Sequence, residues 1–278
     1  SQGSLVEVSS AQTSILETNP LIPVDITITP EDTDGSEKVS SVTLSISEQS
    51  TSSDFTTAPV FIADDGTEIN FTIDSGEYKL ELESNYYSTS TVNGVEVVNI
   101  SGSIRTPEFF DGDVTLTAKA VTSETEDASK SSENSAQQQF VIEGVTDGIN
   151  AEDFQVAGTT IYGSQSLVLS DLVTSVQITD LDEDITIEFE LSSEFVTSLE
   201  NSQSGFYDTA SSEFITSPLT ISVFADETFT AAENLVSRLG EIEIQTLSDQ
   251  DDFNITASVS TRDGSSAEST SVSKSIFI

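Results

Sequence analysis

Short runs in which apolar and polar residues alternate fill much of the 278-residue chain. Residues 42–47, 114–121, 185–191 and 253–260 alternate with a period of two, as a strand with one buried face does. Asp-Gly, Ser-Gly and Asn-Gly pairs separate many of the runs, which is typical of tight turns between strands. The pattern therefore predicts an all-β chain built from β-sandwiches.

Other segments complete this prediction. Residues 231–240 carry apolar side chains at helical spacing and end in Gly240, which predicts one or two helical turns that cover an open end of a sandwich. Shorter strands are predicted at residues 60–63, 69–73, 78–82, 95–104, 214–215, 219–224 and 241–246.

The chain contains a repeat of its own pattern. In the first half, a strand at residues 24–29 precedes an acidic turn at 31–37, and in the second half, strands at 167–172 and 176–179 precede an acidic turn at 180–184. Such self-similarity indicates two copies of one structural unit. We predict two β-sandwich modules, 1–145 and 146–278, with a short linker at 144–150.

The ends of the two halves also correspond. An acidic turn precedes a long alternating strand in each half, and a loop rich in Ser and acidic residues leads from it to a closing strand. The predicted loops are 122–135 and 261–270, and the predicted closing strands are 140–142 and 275–278. The first module differs by a long middle segment, residues 78–104, that we interpret as an insertion able to face a ligand.

Composition narrows the possible partners. The chain has 8 Lys and Arg against 49 Asp and Glu, a net charge of −41, and it lacks His, Cys, Met and Trp. A field this negative repels nucleic acid and anionic lipid, so we expect neither as a partner. Without His or Cys the chain cannot assemble a His-dependent triad, a thiolate nucleophile or a disulfide. No apolar run approaches the ~20 residues of a membrane helix, and we expect no membrane insertion.

Clustered carboxylates are the remaining candidate chemistry. Calcium takes six to eight oxygen ligands, and acidic residues one position apart in a turn can both point at one ion. The clusters that fit are Asp32/Asp34, Asp111/Asp113, Asp180/Asp182/Asp184 and Asp251/Asp252.

Their positions along the modules suggest one shared site. In a sandwich, the turn before the penultimate strand lies where the chain leaves a module, and the turn after the second strand lies where the chain enters. Asp111 and Asp113 of the first module should therefore approach Asp180 and Asp182 of the second, with the linker between them. Carboxylates placed so closely repel each other unless a cation joins them.

The acidic residues occur in the same order as in a known family. Glu17 in Leu16-Glu17-Thr18-Asn19-Pro20, followed by the acidic positions above, resembles the calcium signature of cadherin-type repeats. Residues 26–37 are similar to the cadherin-like and immunoglobulin-like tandem repeats of giant RTX-type bacterial adhesins that type I systems secrete. The resemblance implies immunoglobulin/cadherin-like modules that bind Ca²⁺ through Glu17, Asp32, Asp34, Asp111, Asp113, Asp147, Asn150, Asp180 and Asp182.

The family also implies a role. Its repeats form a calcium-stiffened extender on the bacterial cell surface that serves cell adhesion or biofilm formation, with neighbouring modules of the same chain as partners. We therefore expect a secreted, monomeric protein. The second module departs from the pattern, because Gly163-Ser164-Gln165-Ser166 stands where the first has its Glu17 motif, so its far end lacks one acidic ligand.

Two further functions stay open. A ligand-binding module of the same kind of adhesin would hold a glycan or a peptide in a cleft lined by Tyr78, Tyr86 and Tyr87. Alternatively, the carboxylates serve salt adaptation only. We do not expect an enzyme, because the phosphate-binding, nucleophile-elbow and zinc-protease motifs are all missing.

Overall fold

The chain folds into two compact units, Ser1–Gly144 and Val145–Ile278. The structure is a computed structural model, and it describes residues 3–32, 34–48, 55, 57–160, 165–181, 183–193, 195, 205–215, 217–225, 229–246, 252–264, 266 and 268–278. Strands dominate both units, which confirms the all-β prediction. Within the described part of the chain, no helix has the length and apolar character needed to cross a membrane.

The described residues of unit 1 form twelve strands in two sheets. They are β1 (Ser4–Val8), β2 (Ser14–Leu16), β3 (Leu21–Pro30), β4 (Glu37–Glu48), β5 (Val60–Ala63), β6 (Glu68–Asn70), β7 (Thr72–Asp74), β8 (Glu77–Leu82), β9 (Ser88–Val92), β10 (Val95–Arg105), β11 (Gly112–Glu124) and β12 (Ser131–Glu143).

The strand order of unit 1 is that of an immunoglobulin-like sandwich. One sheet has the order β1-β3-β10-β5-β6, with β9 also paired to β10, and the other has the order β2-β12-β11-β4-β8-β7. The chain begins in the first sheet and crosses to the second, where β2 runs parallel to β12. Neighbours β1-β3-β10-β5 facing β12-β11-β4 correspond to the two sheets of that fold.

The core of unit 1 lies between the inner faces of these sheets. Ile26 and Ile28 of β3 are fully buried, as are Leu44 and Ile46 of β4 and Leu116 of β11. Alternation along each strand sends these side chains inward and their polar neighbours outward, and each buried aliphatic side chain stabilises the fold by roughly 1.5–3 kcal/mol.

Unit 2 repeats the arrangement with shorter strands. Its elements are β13 (Phe154–Val156), β14 (Ser166–Val168), β15 (Val173–Val176), β16 (Asp184–Leu191), β17 (Gly205–Asp208), β18 (Glu213–Ile215), β19 (Leu219–Val223), α1 (Ala231–Leu239), β20 (Ile242–Gln245), β21 (Asn254–Arg262) and β22 (Val272–Phe277). They form sheets β13-β15, β14-β20-β17-β18 and β19-β16-β21-β22. The pairing β16-β21-β22 matches β4-β11-β12 of unit 1.

The second strand of unit 2 is interrupted where the sequence predicts a continuous one. A 3₁₀ turn, Leu169–Asp171, separates β14 from β15. The turn directs both Leu169 and Leu172 into the core, where each is fully buried. The predicted strands at 167–172 and 176–179 are therefore wrong in their bounds, because core packing of two leucines favours a turn over an unbroken pleat.

The predicted loop at 122–135 is also wrong for most of its length. Strand β11 continues to Glu124 and β12 begins at Ser131, with Ser123 opposite Ser131 in the hairpin. Side chains of β12 alternate between exposed and half-buried over residues 131–139. Polar residues suit a strand whose backbone is paired while its side chains face water, so composition alone misidentified this segment as a loop.

The long middle of unit 1 is largely part of the sandwich. Strand β8 pairs with β4 in one sheet and β10 pairs with β3 in the other, so the interpretation of residues 78–104 as an insertion is wrong for most of the segment. Apolar residues of both strands are buried, Leu80 and Ile100 among them, which ties the strands to the core. The 3₁₀ turn Ser84–Tyr86 and strand β9 are the parts that extend beyond it.

The predicted helical turns at residues 231–240 are confirmed. Helix α1 begins after Thr230, which forms a capping box with Glu233, and it buries Ala231, Leu235 and Leu239. Arg238 in its last turn donates from Nη1 to Oδ1 of Asp208 on β17 over 3.1 Å. Asp208 is 6% exposed, so this ion pair fastens the helix to the sheet where solvent screens it little.

This ion pair predicts a pH-dependent stability of unit 2. Hydrogen bonds from Arg238 lower the pKa of Asp208 to about 2. Because the folded pKa lies below that of an unfolded Asp, about 3.9, the stabilisation is present above pH ~4 and is lost as the pH falls toward 2. Asp208→Asn should cost about 2 kcal/mol of unfolding free energy at pH 7 and much less at pH 2, where half of the folded molecules have a protonated Asp208, as measured by urea unfolding.

The control is Glu241→Gln. Glu241 Oε2 also lies 2.7 Å from Arg238 Nη1, but its side chain is 47% exposed, so its loss should change the free energy by less than about 1 kcal/mol. Equal costs for the two variants would contradict the assignment of this stabilisation to Asp208.

Candidate metal-binding sites

Unit 1 gathers three carboxylates where its acidic turn meets the end of a long strand. Asp32 lies in the turn between β3 and β4, Glu37 begins β4, and Glu124 ends β11. Glu37 and Glu124 are direct cross-strand partners. One carboxylate oxygen of each of the three residues lies within 4.8 Å of the others, and Glu37 is only 2% exposed. Sheet pairing therefore concentrates negative charge at this point.

The turn itself is held by short hydrogen bonds. The Asp34 N–H donates to Asp32 Oδ1 over 3.1 Å, and the Ser36 N–H donates to Asp34 Oδ1 over 2.7 Å. Gly35 adopts a φ of +79°, which favours glycine. The Ser36 hydroxyl then donates to Glu124 Oε2 over 2.9 Å. This network places Asp32 in the carboxylate cluster, while exposed Asp34 caps the turn, and its bonds from Ser36 lower the pKa of the Asp34 carboxyl.

Unit 2 has a related cluster. Asp180 lies in the turn before β16, and Asp263 directly follows β21. These two residues are 3% and 4% exposed, and their carboxylates approach within 4.8 Å of each other. The Asp263 N–H donates to Thr146 Oγ1 over 3.0 Å, so the first residues of unit 2 are joined to the cluster.

A third carboxylate of unit 2, Glu183, is completely buried. Its Oε1 accepts the N–H of Asp147 over 2.6 Å, whereas its Oε2 has no hydrogen-bond partner among the residues that the structure describes. Burial raises the pKa of Glu183 above its usual value, although donors such as the Asp147 N–H offset part of this effect. Burial likewise raises the pKa of neighbouring Asp184. A carboxylate with an unsatisfied buried oxygen is costly unless a proton or a cation accompanies it.

The two clusters occupy equivalent positions. Strand β4 pairs with β11 and β16 pairs with β21. In unit 1 the acidic residues Glu37 and Glu124 are the first cross-strand pair, whereas in unit 2 Glu183 and Asp263 adjoin the first pair, Asp184 with Arg262. The repeat inferred from sequence thus carries its acidic residues to the same strand ends in both units.

Sequence reasoning missed several members of these clusters. Glu37, Glu124, Glu183 and Asp263 were not predicted as ligands. Glu37 and Glu183 lie inside the predicted acidic turns, so counting every acidic residue of those turns as a candidate would have found them. Nothing in the sequence marks Glu124 or Asp263, because only the pairing of distant strands brings them to the turns.

The other predicted ligands have the following surroundings in their own units. Glu17 follows β2 and is 7% exposed, and its N–H donates to the Glu143 carbonyl over 3.1 Å. Asp111 is half-buried before β11, where burial raises its pKa, while Asp113 on β11 is exposed.

In unit 2, Asp147 and Asn150 are exposed, and the Asn150 amide donates to Asp153 over 3.1 Å. Asp182 and Asp251 lie outside the described residues. The site predicted from Asp111, Asp113, Asp147, Asn150, Asp180 and Asp182 stays a prediction.

Unit 1 also contains a cleft beside its paired tyrosines. Tyr86 and Tyr87 line a cavity of about 240 Å³ together with Asp64 and Asp65 of the β5–β6 turn. Tyr78, which was predicted to line the same cleft, instead packs against Phe55 with ring centroids 5.3 Å apart. All three tyrosines pack against the core of unit 1, but Tyr78 does not line the cleft.

Comparisons with known proteins give distant structural similarities. No family model matches the chain, and no curated protein matches it. Among solved structures, the chain is similar to AvmM, which catalyses macrocyclization in alchivemycin A biosynthesis, with a TM-score of 0.34 and 10% identity over 53% of this chain and 93% of that one.

Two bacterial proteins are similar over nearly the whole chain. One is BcpA, the major pilin subunit of Bacillus cereus, with a TM-score of 0.26 and 10% identity, and this chain spans 66% of its length. The other is the C-terminal domain of the Streptococcus agalactiae AgI/II polypeptide BspA, with a TM-score of 0.24, 10% identity and 98% coverage of both chains. The immunoglobulin-like assignment rests on the strand order of the chain itself.

Proposed function

We propose that the chain is a pair of calcium-binding β-sandwich modules from the extender of a secreted bacterial surface adhesin. The observation that carries this proposal is the gathering of carboxylates at corresponding strand ends of both units. Asp32, Glu37 and Glu124 meet in one unit, with Glu37 buried, and the buried Asp180 and Asp263 meet in the other, where Glu183, three residues after Asp180, is also buried. An acidic surface needs only solvent-exposed Asp and Glu side chains. The overall acidity of the chain therefore does not explain why carboxylates are buried in these clusters.

The donor set suits calcium. Only oxygen ligands are available, and calcium accepts six to eight of them in flexible geometry, whereas magnesium demands a near-ideal octahedron and keeps several waters. Two carboxylates about 4 Å apart repel by roughly 4 kcal/mol in a partly screened protein site. A divalent ion converts this repulsion into attraction, and the open oxygen of Glu183 supports its presence nearby.

The ion would also stiffen the segment with which unit 2 begins. Thr146 accepts the N–H of Asp263, and Asp147 donates its own N–H to Glu183. Fixing the carboxylates therefore fixes the backbone of residues 146–147, which lies at the division between the units. Reduced bending at such points is what an extender requires of its modules.

Composition supports an extracellular and non-enzymatic role. The chain has no Cys, so calcium replaces disulfides as its cross-link in an oxidising environment. It also has no His, so it cannot assemble a His-dependent catalytic triad. Neighbouring modules of the same protein are the partners that this role implies, and the chain acts as a monomer.

A second candidate function is favoured by a separate observation. The cleft beside Tyr86 and Tyr87 of unit 1 has the aromatic and acidic lining of a ligand site. An adhesin module that binds a ligand would use such a cleft, and no residue of the cleft belongs to the carboxylate clusters.

Calcium should stabilise the protein through these clusters. At calcium concentrations about 100 times Kd, the unfolding free energy should rise by about 2.7 kcal/mol per site. Asp180→Asn with Asp263→Asn should abolish the effect in unit 2, and Glu37→Gln with Glu124→Gln should abolish it in unit 1. Isothermal titration calorimetry and thermal unfolding of chelator-treated protein measure both.

The matched control is Glu81→Gln with Glu190→Gln, which removes one exposed charge from each unit outside the clusters. This control should bind calcium with unchanged stoichiometry. Salt adaptation makes the opposite prediction, because sodium at high concentration would then stabilise the chain as well as millimolar calcium does.

The contribution of Glu183 to the unfolding free energy should change from unfavourable to favourable when calcium is added. Its raised pKa means that the folded metal-free protein loses stability as pH rises from about 4.3 through the folded pKa. In chelator at pH 7, Glu183→Gln should therefore raise the unfolding free energy, while in calcium it should lower it. Glutamine keeps one oxygen for the Asp147 N–H, so packing is preserved. An equal effect of the variant with and without calcium would rule out a metal at Glu183.

Calcium should also protect the first residues of unit 2 from exchange. Removing the ion should accelerate hydrogen exchange of the Asp147 amide by about tenfold or more, because its acceptor Glu183 is then free to protonate and move. The Ile187 amide in the core of the same unit serves as the internal reference. Exchange at Asp147 that is indifferent to chelator would argue against stiffening, even if calcium binds.

A further inference from the structure

We propose that the cleft of unit 1 binds the guanidinium group of an arginine that a partner protein presents. This inference rests on the second candidate function, ligand binding by unit 1, and specifies the class of its ligand. The cleft is formed by the β5–β6 turn, the turn after β8 and the adjoining part of β10, and its main polar and aromatic lining residues are Asp64, Asp65, Asn85, Tyr86, Tyr87 and Asn99.

The first argument is charge. Asp64 and Asp65 bring two carboxylates to the rim, and none of the lining residues, all of which the structure describes, is Lys or Arg. The Ser101 hydroxyl donates to Asp64, and the Thr67 N–H donates to Asp65 over 2.9 Å. The bonds from Thr67 lower the pKa of Asp65, which keeps this carboxylate ionised at neutral pH. A cation is therefore the complementary ligand.

The second argument is the pair of aromatic rings. Tyr86 and Tyr87 are half-buried and pack against the hydrophobic core of unit 1, so their positions are set by the fold. The face of a tyrosine ring attracts a cation within about 6 Å of its centre. Carboxylates beside aromatic faces thus form two attractive elements for one positively charged group.

The third argument is size. The cavity of about 240 Å³ is smaller than the roughly 300–1,000 Å³ of pockets that enclose drug-sized ligands, so it accommodates a single side-chain head group better than an oligosaccharide. Arginine fits better than lysine, because its planar guanidinium can stack on a ring and donate two parallel hydrogen bonds to a carboxylate.

The long-range field favours the same ligand. At a net charge of −41, the protein attracts basic partners before contact and accelerates their encounter. The field alone does not select a binding position, whereas the cleft places two carboxylates beside two aromatic rings. A basic surface with one protruding arginine is therefore the partner that both features fit.

The test is an NMR titration of the whole chain at fixed ionic strength and saturating calcium. The probes are N-acetyl-arginine amide, N-acetyl-lysine amide and N-acetyl-citrulline amide, the last being an uncharged isostere of arginine. We expect saturable shifts of the backbone amides of Asp65 and Tyr87 with the arginine probe. Lysine should bind at least about threefold more weakly and citrulline at least about tenfold more weakly.

Variants distinguish the cleft from the general field. Asp64→Asn with Asp65→Asn should weaken arginine binding about tenfold, because asparagine keeps the turn and loses the charge. Glu7→Gln with Glu81→Gln, two exposed carboxylates of the same unit outside the cleft, removes equal charge and should change affinity less than about twofold. Tyr87→Phe should bind as the parent does, and Tyr87→Leu should bind more weakly while retaining its melting temperature.

Several outcomes overturn the proposal. Equal shifts with citrulline and arginine, or equal losses in the two double variants, would show that the cleft does not recognise a cation. Shifts of the same amides with methyl glycosides and not with arginine would replace the ligand class and leave the binding function standing. If no probe causes saturable shifts, the ligand-binding function of unit 1 is contradicted as well. None of these results tests the proposal that the chain binds calcium.

Discussion

Repulsion between carboxylates held close together in partly buried positions is the constraint on which this structure depends. Asp180, Glu183 and Asp263 are removed from water at the strand ends of unit 2, and Glu37 is removed from water in unit 1. Charges in such surroundings are not screened as surface charges are, so a proton or a cation must accompany them. Burial raises the pKa values of Glu183 and Asp184, because an ionised carboxylate is costly away from water.

The sandwich supplies the rigidity that makes this constraint useful. Ile187 and Val259, on strands β16 and β21, are fully buried and directly opposite each other, so the ends of these strands cannot easily separate to relieve the repulsion. The same relation holds between β4 and β11 in unit 1, where Leu44 lies opposite Ala118. Core packing thus fixes the distance between acids that would otherwise move apart, and the metal proposal follows from that fixed geometry.

The negative charge of the chain acts on two scales. Across the whole surface it repels polyanions and attracts basic groups. This long-range field raises the association rate of basic partners and disfavours polyanionic ones. At an individual position, negative charge can hold a ligand only where the fold adds a second feature. At Glu183 this feature is burial. Beside Asp64 and Asp65 it is the pair of aromatic rings of Tyr86 and Tyr87.

The amino-acid sequence determined the β class, the repeat and the acidic turns, because alternation and turn residues are local signals. It identified Asp32 and Asp180 for the same reason. It did not determine the partners of these residues, since Glu124 and Asp263 reach them only through pairing between strands far apart in the chain.

Local signals also failed where packing overrode them. Two buried leucines converted a predicted strand into a 3₁₀ turn at Leu169–Asp171, and backbone pairing kept the polar residues 131–139 in a strand. The tertiary structure likewise separated Tyr78 from Tyr86 and Tyr87 and brought Asp64 and Asp65 to the latter pair. Which side chains meet is decided by sheet order and register, and these depend on the whole chain at once.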